Sequence, residues 1–115
     1  MSSRDCLFCK IGRGELSTDF LLETDQLVAF RDLNPVAPTH VLVIPKKHIA
    51  SLASLDQQDG ELMGEIMLAI KKIAEQEDLE QGFRVVANTG SDGGQSVHHL
   101  HFHLLGGRSL QWPPG

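Results

Sequence analysis

The chain has 115 residues, 41% of them hydrophobic and 22% charged, with a net charge of −5 and a pI near 5.6. Those values describe one domain, spanning residues 1–115, large enough for a single core. They argue against a nucleic-acid-backbone binder, because no basic face exists in bulk and only Lys46 and Lys47 form a local patch. No apolar run approaches the ~20 residues of a membrane span. The opening "MSSRDCLF" lacks the basic-then-apolar order of a secretory leader. The expectation is a cytoplasmic protein without a membrane or nucleic-acid partner.

From the N-terminus, "CLFCKIGRG" (6–14) has the pattern of a short helical turn stopped by Gly12 and Gly14. It carries the two cysteines, Cys6 and Cys9, as a single C-x-x-C. In a reducing compartment that leaves a zinc half-site, a redox pair or two ordinary thiols. Residues 20–23 and 27–32 read as strands joined by a tight connection at "ETDQ". After the proline-punctuated "NPVAPTH" (34–40), the β-branched "HVLVIPK" (40–46) reads as a central strand. Pro45 should end its ladder, having no N–H to donate. Residues 59–77 read as a helix, with Leu62, Met63, Ile66, Ile70, Ile73 and Ala74 at three- and four-residue steps. Gly60 and Gly64 cost that helix about 1 kcal/mol each relative to Ala, unless they allow close packing. Residues 83–90 and 98–105 read as two further strands around the Gly-rich "TGSDGGQS". Strands, a helix, then strands again predict an α+β domain on a mostly antiparallel sheet.

The last strand, "HHLHFHLL", holds four of the six histidines. On a pleated ribbon His99, His101 and His103 share one face, while His98, Leu100, Phe102 and Leu104 share the other. At a rise of ~3.3 Å per residue, the outer two rings of the trio start ~13 Å apart. Zinc holds its nitrogens at about 2.0–2.1 Å, so an adjacent pair can chelate one ion and the outer two cannot. The trio is therefore read as divided between two tasks. Burying three titratable rings is costly unless each has a partner, whereas His98 on the other face reads as a surface or interface residue.

His99-Leu100-His101-Phe102-His103-Leu104-Leu105 resembles the signature of the histidine triad superfamily of nucleotide hydrolases and transferases. The flanking "GGQSV", "GGR" and "WPPG", with "FRDLNPVAPTHVLVIPKKH" upstream, resemble its Hint branch. His98 departs from the pattern, standing where those relatives commonly carry an aromatic such as Tyr. The resemblance implies the HIT fold: a mostly antiparallel five-stranded sheet with one long and one short helix, the sheet continued across a homodimer. It implies a purine nucleoside phosphoramidase that cleaves the P–N bond of adenosine 5′-phosphoramidates, or acyl-AMP, to AMP through a nucleotidyl-histidine. A dinucleoside polyphosphate hydrolase, or a nucleotide- and zinc-binding interaction module with incidental turnover, are the rival readings.

By the same resemblance His101 is the nucleophile, His40 packs behind it to orient it, His103 contacts the phosphate and Ser96 passes a proton to the leaving group. A neutral imidazole is nucleophilic near pH 7, and its second nitrogen must then be held as N–H by an acceptor. Gly93 and Gly94 let backbone amides approach phosphate oxygens. Asn88, Gly94, Gln95, Ser96, Val97, His101 and His103 are implied as nucleotide contacts. Asp32 and Leu33 are implied to hold the nucleoside, a carboxylate accepting both ribose hydroxyls being a sound chemical device. Phe8, Ile11 and Phe30 are read either as an apolar slot for the base or as core. No metal is implied at the phosphate. In bacterial relatives the C-x-x-C joins the first triad histidine and the histidine of "PKKH" in a structural zinc site, which here means Cys6, Cys9, His48 and His99. Trp112, in the terminal "WPPG", is implied to cross a dimer interface and shape the partner's nucleotide pocket.

Overall fold

The computed structural model describes residues 5–115, so the first half of "MSSRDCLF" lies outside the described residues. A short helix α1 (Leu7–Gly12) begins where the Cys6 sulfur accepts the Cys9 N–H at 3.3 Å. It ends at Gly12, and Gly14, with a φ of +77°, turns the chain away after the Arg13 cap. Strands β1 (Phe20–Glu23) and β2 (Leu27–Arg31) form the expected hairpin. Its turn is closed by Thr24, whose hydroxyl accepts the N–H groups of Gln26 and Leu27 at 3.1 and 3.2 Å. Strand β3 (Thr39–Pro45) is buried along its whole length. Helix α2 (Gly60–Gln76) follows, then β4 (Phe83–Val86) and β5 (Phe102–Gly106). All neighbours in the sheet are antiparallel, in the order β1-β2-β3-β5-β4.

The sheet separates two apolar clusters. On one face, Leu62, Ile66, Ala69, Ile70, Ile73 and Ala74 of α2 cover Leu27, Ala29, Val41 and Val43 together with Leu100, Phe102 and Leu104. On the other, Phe8, Cys9 and Ile11 of α1 cover Val28, Phe30, Leu42 and Ile44. Arg31 clamps the end of α2 to the sheet through a two-pronged pair with Glu77 at 2.7 and 2.9 Å. Gly60 and Gly64 serve no close packing within the chain, since a Cβ at either would meet nothing within 4 Å. Among the described residues no helix is long and apolar enough to cross a membrane.

Two strands are shorter than their apolar patterns predict. The expected strand over 98–105 joins the ladder only from Phe102, where Val43↔Phe102 is the first pair. Before that pair the segment is held otherwise, by Leu100 N–H on the Ile49 carbonyl and the His99 ring on the Pro45 carbonyl. The expected strand over 83–90 stops at Val86, opposite His103, where the Gly-rich loop begins. Alternation survives the missing ladder. Leu100 still enters the α2-side core, while His99 and His101 face α1.

Candidate active site

The rings of His101 and His103 lie 5.1 Å apart, centre to centre, on the α1 face of the sheet. His101 Nδ1 lies 2.7 Å from the carbonyl oxygen of His99. A carbonyl only accepts, so Nδ1 carries the proton and the neutral ring presents its lone pair at Nε2. His101 as a residue is buried, at 5% exposure.

His103 is set by a second chain of bonds. The Val36 N–H donates to His40 Nδ1 at 3.1 Å, so His40 carries its proton on Nε2. His40 Nε2 then donates to His103 Nδ1 at 2.9 Å, which leaves His103 with an outward Nε2–H. The ring of His40 bonds that of His103: the pairs His40↔Leu105 and Leu42↔His103, separated by Val41↔Leu104, put these side chains on one face of the ladder. Asp32 Oδ2 stands 3.4 Å from His40 Nε2, while Oδ1 accepts the Asn34 N–H at 2.8 Å. Burial first, then the neighbouring His101 and His40, hold the His103 pKa down to about 4. His103 is thus a neutral donor at pH 7.

Four ligand atoms of Cys6, Cys9, His48 and His99 lie within 4.8 Å of one another. His99 Nδ1 faces Cys6 Sγ at 3.2 Å and Cys9 Sγ at 3.5 Å, and His48 Nδ1 faces Cys9 Sγ at 3.2 Å. Sulfur and nitrogen bound to one tetrahedral zinc stand roughly 3.6 Å apart, so these spacings fit with little adjustment. The donor state fits as well. His99 Nε2 donates to the Pro45 carbonyl at 2.8 Å, which turns the Nδ1 lone pair toward the sulfurs. Burial, with Cys6 alongside, pushes the Cys9 thiol up to about 11, unlike the low-pKa thiolate of a redox pair. Asp32, His40 and His103 also cluster, but the proton on His40 Nε2 occupies the position a metal would need.

The loop between β4 and β5 is braced by its own side chains. Asn88 Nδ2 donates to the Gly93 carbonyl at 2.7 Å. Gln95 Nε2 donates to the carbonyls of Ala50 and Val97, and its Oε1 accepts the Gly90 N–H. Gly93 has an intramolecular reason: a Cβ there would stand 2.3 Å from Thr89 O. Beside the histidine face, Ile11, Phe30 and Leu33 line a cleft of about 390 Å³, with Ser17, Thr18, Asp19, Leu21 and Arg31 completing it.

The HIT domain family matches residues 13–110. This chain belongs to the HIT family. It is 53% identical, over 98% of its length and 99% of the relative's, to an uncharacterized HIT-like protein of Synechococcus elongatus. The crystal structure of a HIT family hydrolase from Legionella pneumophila superposes with a TM-score of 0.94 at 51% identity, covering 96% of this chain and all of the other. A histidine triad nucleotide-binding protein from Candida albicans superposes with a TM-score of 0.80 at 34% identity, covering 95% and 83%.

In this HIT domain the structure brings Asp32, His40, His101 and His103 together, and separately Cys6, Cys9, His48 and His99. Ser96 and Gly94 are exposed in the Gly-rich loop, and Val97 packs against the α1-side cluster. Asn88 Nδ2 and both ends of the Gln95 amide bond backbone groups in and around the loop, and both residues are half-buried. Trp112 is 80% exposed, and its tail is tethered by Arg84 Nη2 on the Gln111 carbonyl at 2.8 Å. His98 is exposed.

Sequence reasoning missed the groups that set the protons. The His99 carbonyl, the Pro45 carbonyl and the Val36 N–H are backbone atoms without a residue-type signal. Arg108 donates to the Val36 carbonyl at 3.0 Å and so steadies that loop. Its place in "GGR" was visible, its partner was not. Phe8 was read as base slot or core; it is 5% exposed and set edge-on against His101.

Proposed function

We propose that this HIT domain is a Hint-branch purine nucleoside phosphoramidase, cleaving adenosine 5′-phosphoramidates and acyl-AMP to AMP. The observation that carries the reading is the His101 Nδ1–H bond to the His99 carbonyl, which presents a lone pair at Nε2. That nitrogen attacks the α-phosphorus without first giving up a proton, and the P–N bond breaks. The resulting nucleotidyl-imidazole is cationic, so its Nδ1–H bond to the carbonyl becomes charge-assisted and strengthens as the reaction proceeds. The His103 Nε2–H donates to a phosphoryl oxygen where charge accumulates, and His40 keeps that proton in place. Ser96 passes a proton to the departing amine and recovers one from the water of the second step. Water then cleaves the P–N(His101) bond, releasing AMP and restoring the neutral ring. Backbone groups of Gly94 and Val97 border the phosphate.

Asp32 and Leu33 hold the ribose, and the cleft beside Ile11 and Phe30 takes the purine. The names of the Legionella and Candida relatives, a hydrolase and a nucleotide-binding protein, support this assignment. Cys6, Cys9, His48 and His99 hold a structural zinc that ties α1 to the sheet and takes no part in bond cleavage. The exposed Trp112, and the open α2 face bearing Gly64, Met67 and Leu68, are the surfaces of a homodimer. The test is turnover of a fluorogenic adenosine phosphoramidate. In His101→Ala it should fall by about 10³-fold or more while AMP binding persists. Turnover equal to wild type would remove His101 from its role.

A further inference from the structure

One wall of the cleft beside the histidine face has a single polar tether to the rest of the fold. Ile11, Ser17, Thr18 and Asp19 form that wall, at the end of α1 and in the segment after it. The opposite wall comes from β1, β2 and the residues that follow β2. Residues 13–17 are exposed. Among the described residues, the hydrogen bonds of residues 6–19 close within the segment itself. The Arg13 N–H meets the Cys9 carbonyl, the Glu15 N–H meets the Lys10 carbonyl, and the Arg13 side chain pairs with Glu15. The exceptions are the two cysteine sulfurs, which face His99 and His48 at 3.2–3.5 Å. The remaining attachment is apolar, Phe8 and Ile11 packing on Val28, Phe30, Leu42 and Ile44. At six residues α1 is far below the ~12–15 at which a helix begins to hold in water unaided.

We propose that metal occupancy at Cys6, Cys9, His48 and His99 sets how tightly the cleft holds a purine base, with α1 as the coupling element. This rests on the reading of that cleft as the seat of the base. Cys9 and Ile11 stand two residues apart on one short helix, so whatever fixes the sulfur fixes the apolar wall. An ion held by all four ligands pins α1 to His48, just after β3, and to His99, just before β5. Without the ion the helix keeps only its apolar packing and the sulfur–imidazole contacts, and the nucleotide must itself order part of its site. A ligand that does so binds more weakly by the fraction of molecules in which the site is already formed. The coupling is reciprocal: the factor that the ion adds to nucleotide affinity, the nucleotide adds to ion affinity. The phosphate end hangs on other atoms. His103 is set by the Val36 N–H through His40. His101 is set by the carbonyl of a segment that the Ile49 and Pro45 carbonyls already hold. The coupling therefore falls on the base and spares the phosphate.

The experiment compares zinc-loaded and chelator-stripped protein in NMR titrations with AMP and with ribose 5-phosphate, which has no base. Circular dichroism checks that both forms are folded; should the stripped chain unfold, both are measured in trimethylamine oxide, which favours the compact state. Stripping should weaken AMP binding on the order of tenfold, a usual size for coupled sites, and restored zinc should recover it. Ribose 5-phosphate affinity should change by less than about twofold. Saturating AMP should tighten zinc binding by the same factor, read by competition with a chromophoric chelator. AMP affinities within about twofold of each other, with metal analysis confirming removal, overturn the proposal and leave the phosphoramidase reading to its own turnover test. An equal loss for ribose 5-phosphate also overturns it, because stripping would then loosen the whole site and not the wall beside the base. Absence of AMP binding in both forms overturns it together with the reading of the cleft as the base's seat.

Discussion

Stripping metal from Cys6, Cys9, His48 and His99 should lower the melting temperature by roughly 15–20 °C. In the folded chain their four ligand atoms lie within 4.8 Å of one another, with Cys6, Cys9 and His99 buried. Cys6 and His99 are 93 positions apart, so unfolding disperses the set and an ion held by all four binds the native state alone. Free zinc at about a thousand times its dissociation constant then stabilises the fold by roughly 4 kcal/mol. Unfolding entropy of about 2.1 cal/mol/K per residue converts that into a shift of about 17 °C. The stripped site retains only sulfur–imidazole hydrogen bonds at 3.2–3.5 Å, weak substitutes for coordination. The assay is thermal unfolding by circular dichroism of protein as purified, after a strong chelator, and after zinc is restored. Cys9→Ala is the control and should melt low whatever the metal. If chelated and reloaded samples melt within about 2 °C of each other, with metal analysis confirming removal, the cluster is not a structural metal site.

Gly93→Ala should destabilise the protein by about 1–3 kcal/mol and weaken AMP binding, because the new Cβ meets Thr89 backbone atoms that cannot swing away. Denaturant melts and calorimetry with AMP check this, and a variant equal to wild type in both would show that the loop relaxes freely. His103 has its pKa depressed from 6.5 to about 4, so the unfolded chain takes up a proton before the folded one does. Its contribution is complete above pH 6.5 and is lost as pH falls toward 4, by at most about 3 kcal/mol for a shift of this size. His103→Gln should therefore lose less stability than wild type between pH 7 and 4.5 in denaturant titrations. An equal or steeper loss would show that the ring is not shielded as its burial implies.

Much of the fold was legible because its elements carry strong local patterns. The α2 stripe at Leu62, Ile66, Ile70 and Ile73 needs no partner to be recognised as the buried face of a helix. The β1–β2 hairpin announces itself through two short runs around a tight connection, which Thr24 closes. The strand ends were less legible, since a ladder stops where its neighbour stops. Nothing within "HHLHFHLL" says that the ladder begins at Phe102, opposite Val43, rather than at His98.

The residue types of the site, and the face they share, were settled by sequence alone. Alternation decides that His99, His101 and His103 point together, and C-x-x-C spacing decides that Cys6 and Cys9 can meet one ion. Tertiary structure decided what each ring does. Histidine takes its proton on either nitrogen according to the partner of the other, and those partners are backbone atoms from elsewhere in the fold. Pro45 O turns the lone pair of His99 to sulfur, His99 O turns that of His101 outward, and Val36 N–H, acting through His40, turns a proton of His103 outward. Three like side chains in one short run thus differ in which ring nitrogen carries the proton and what the other one faces, through contacts that no local pattern encodes.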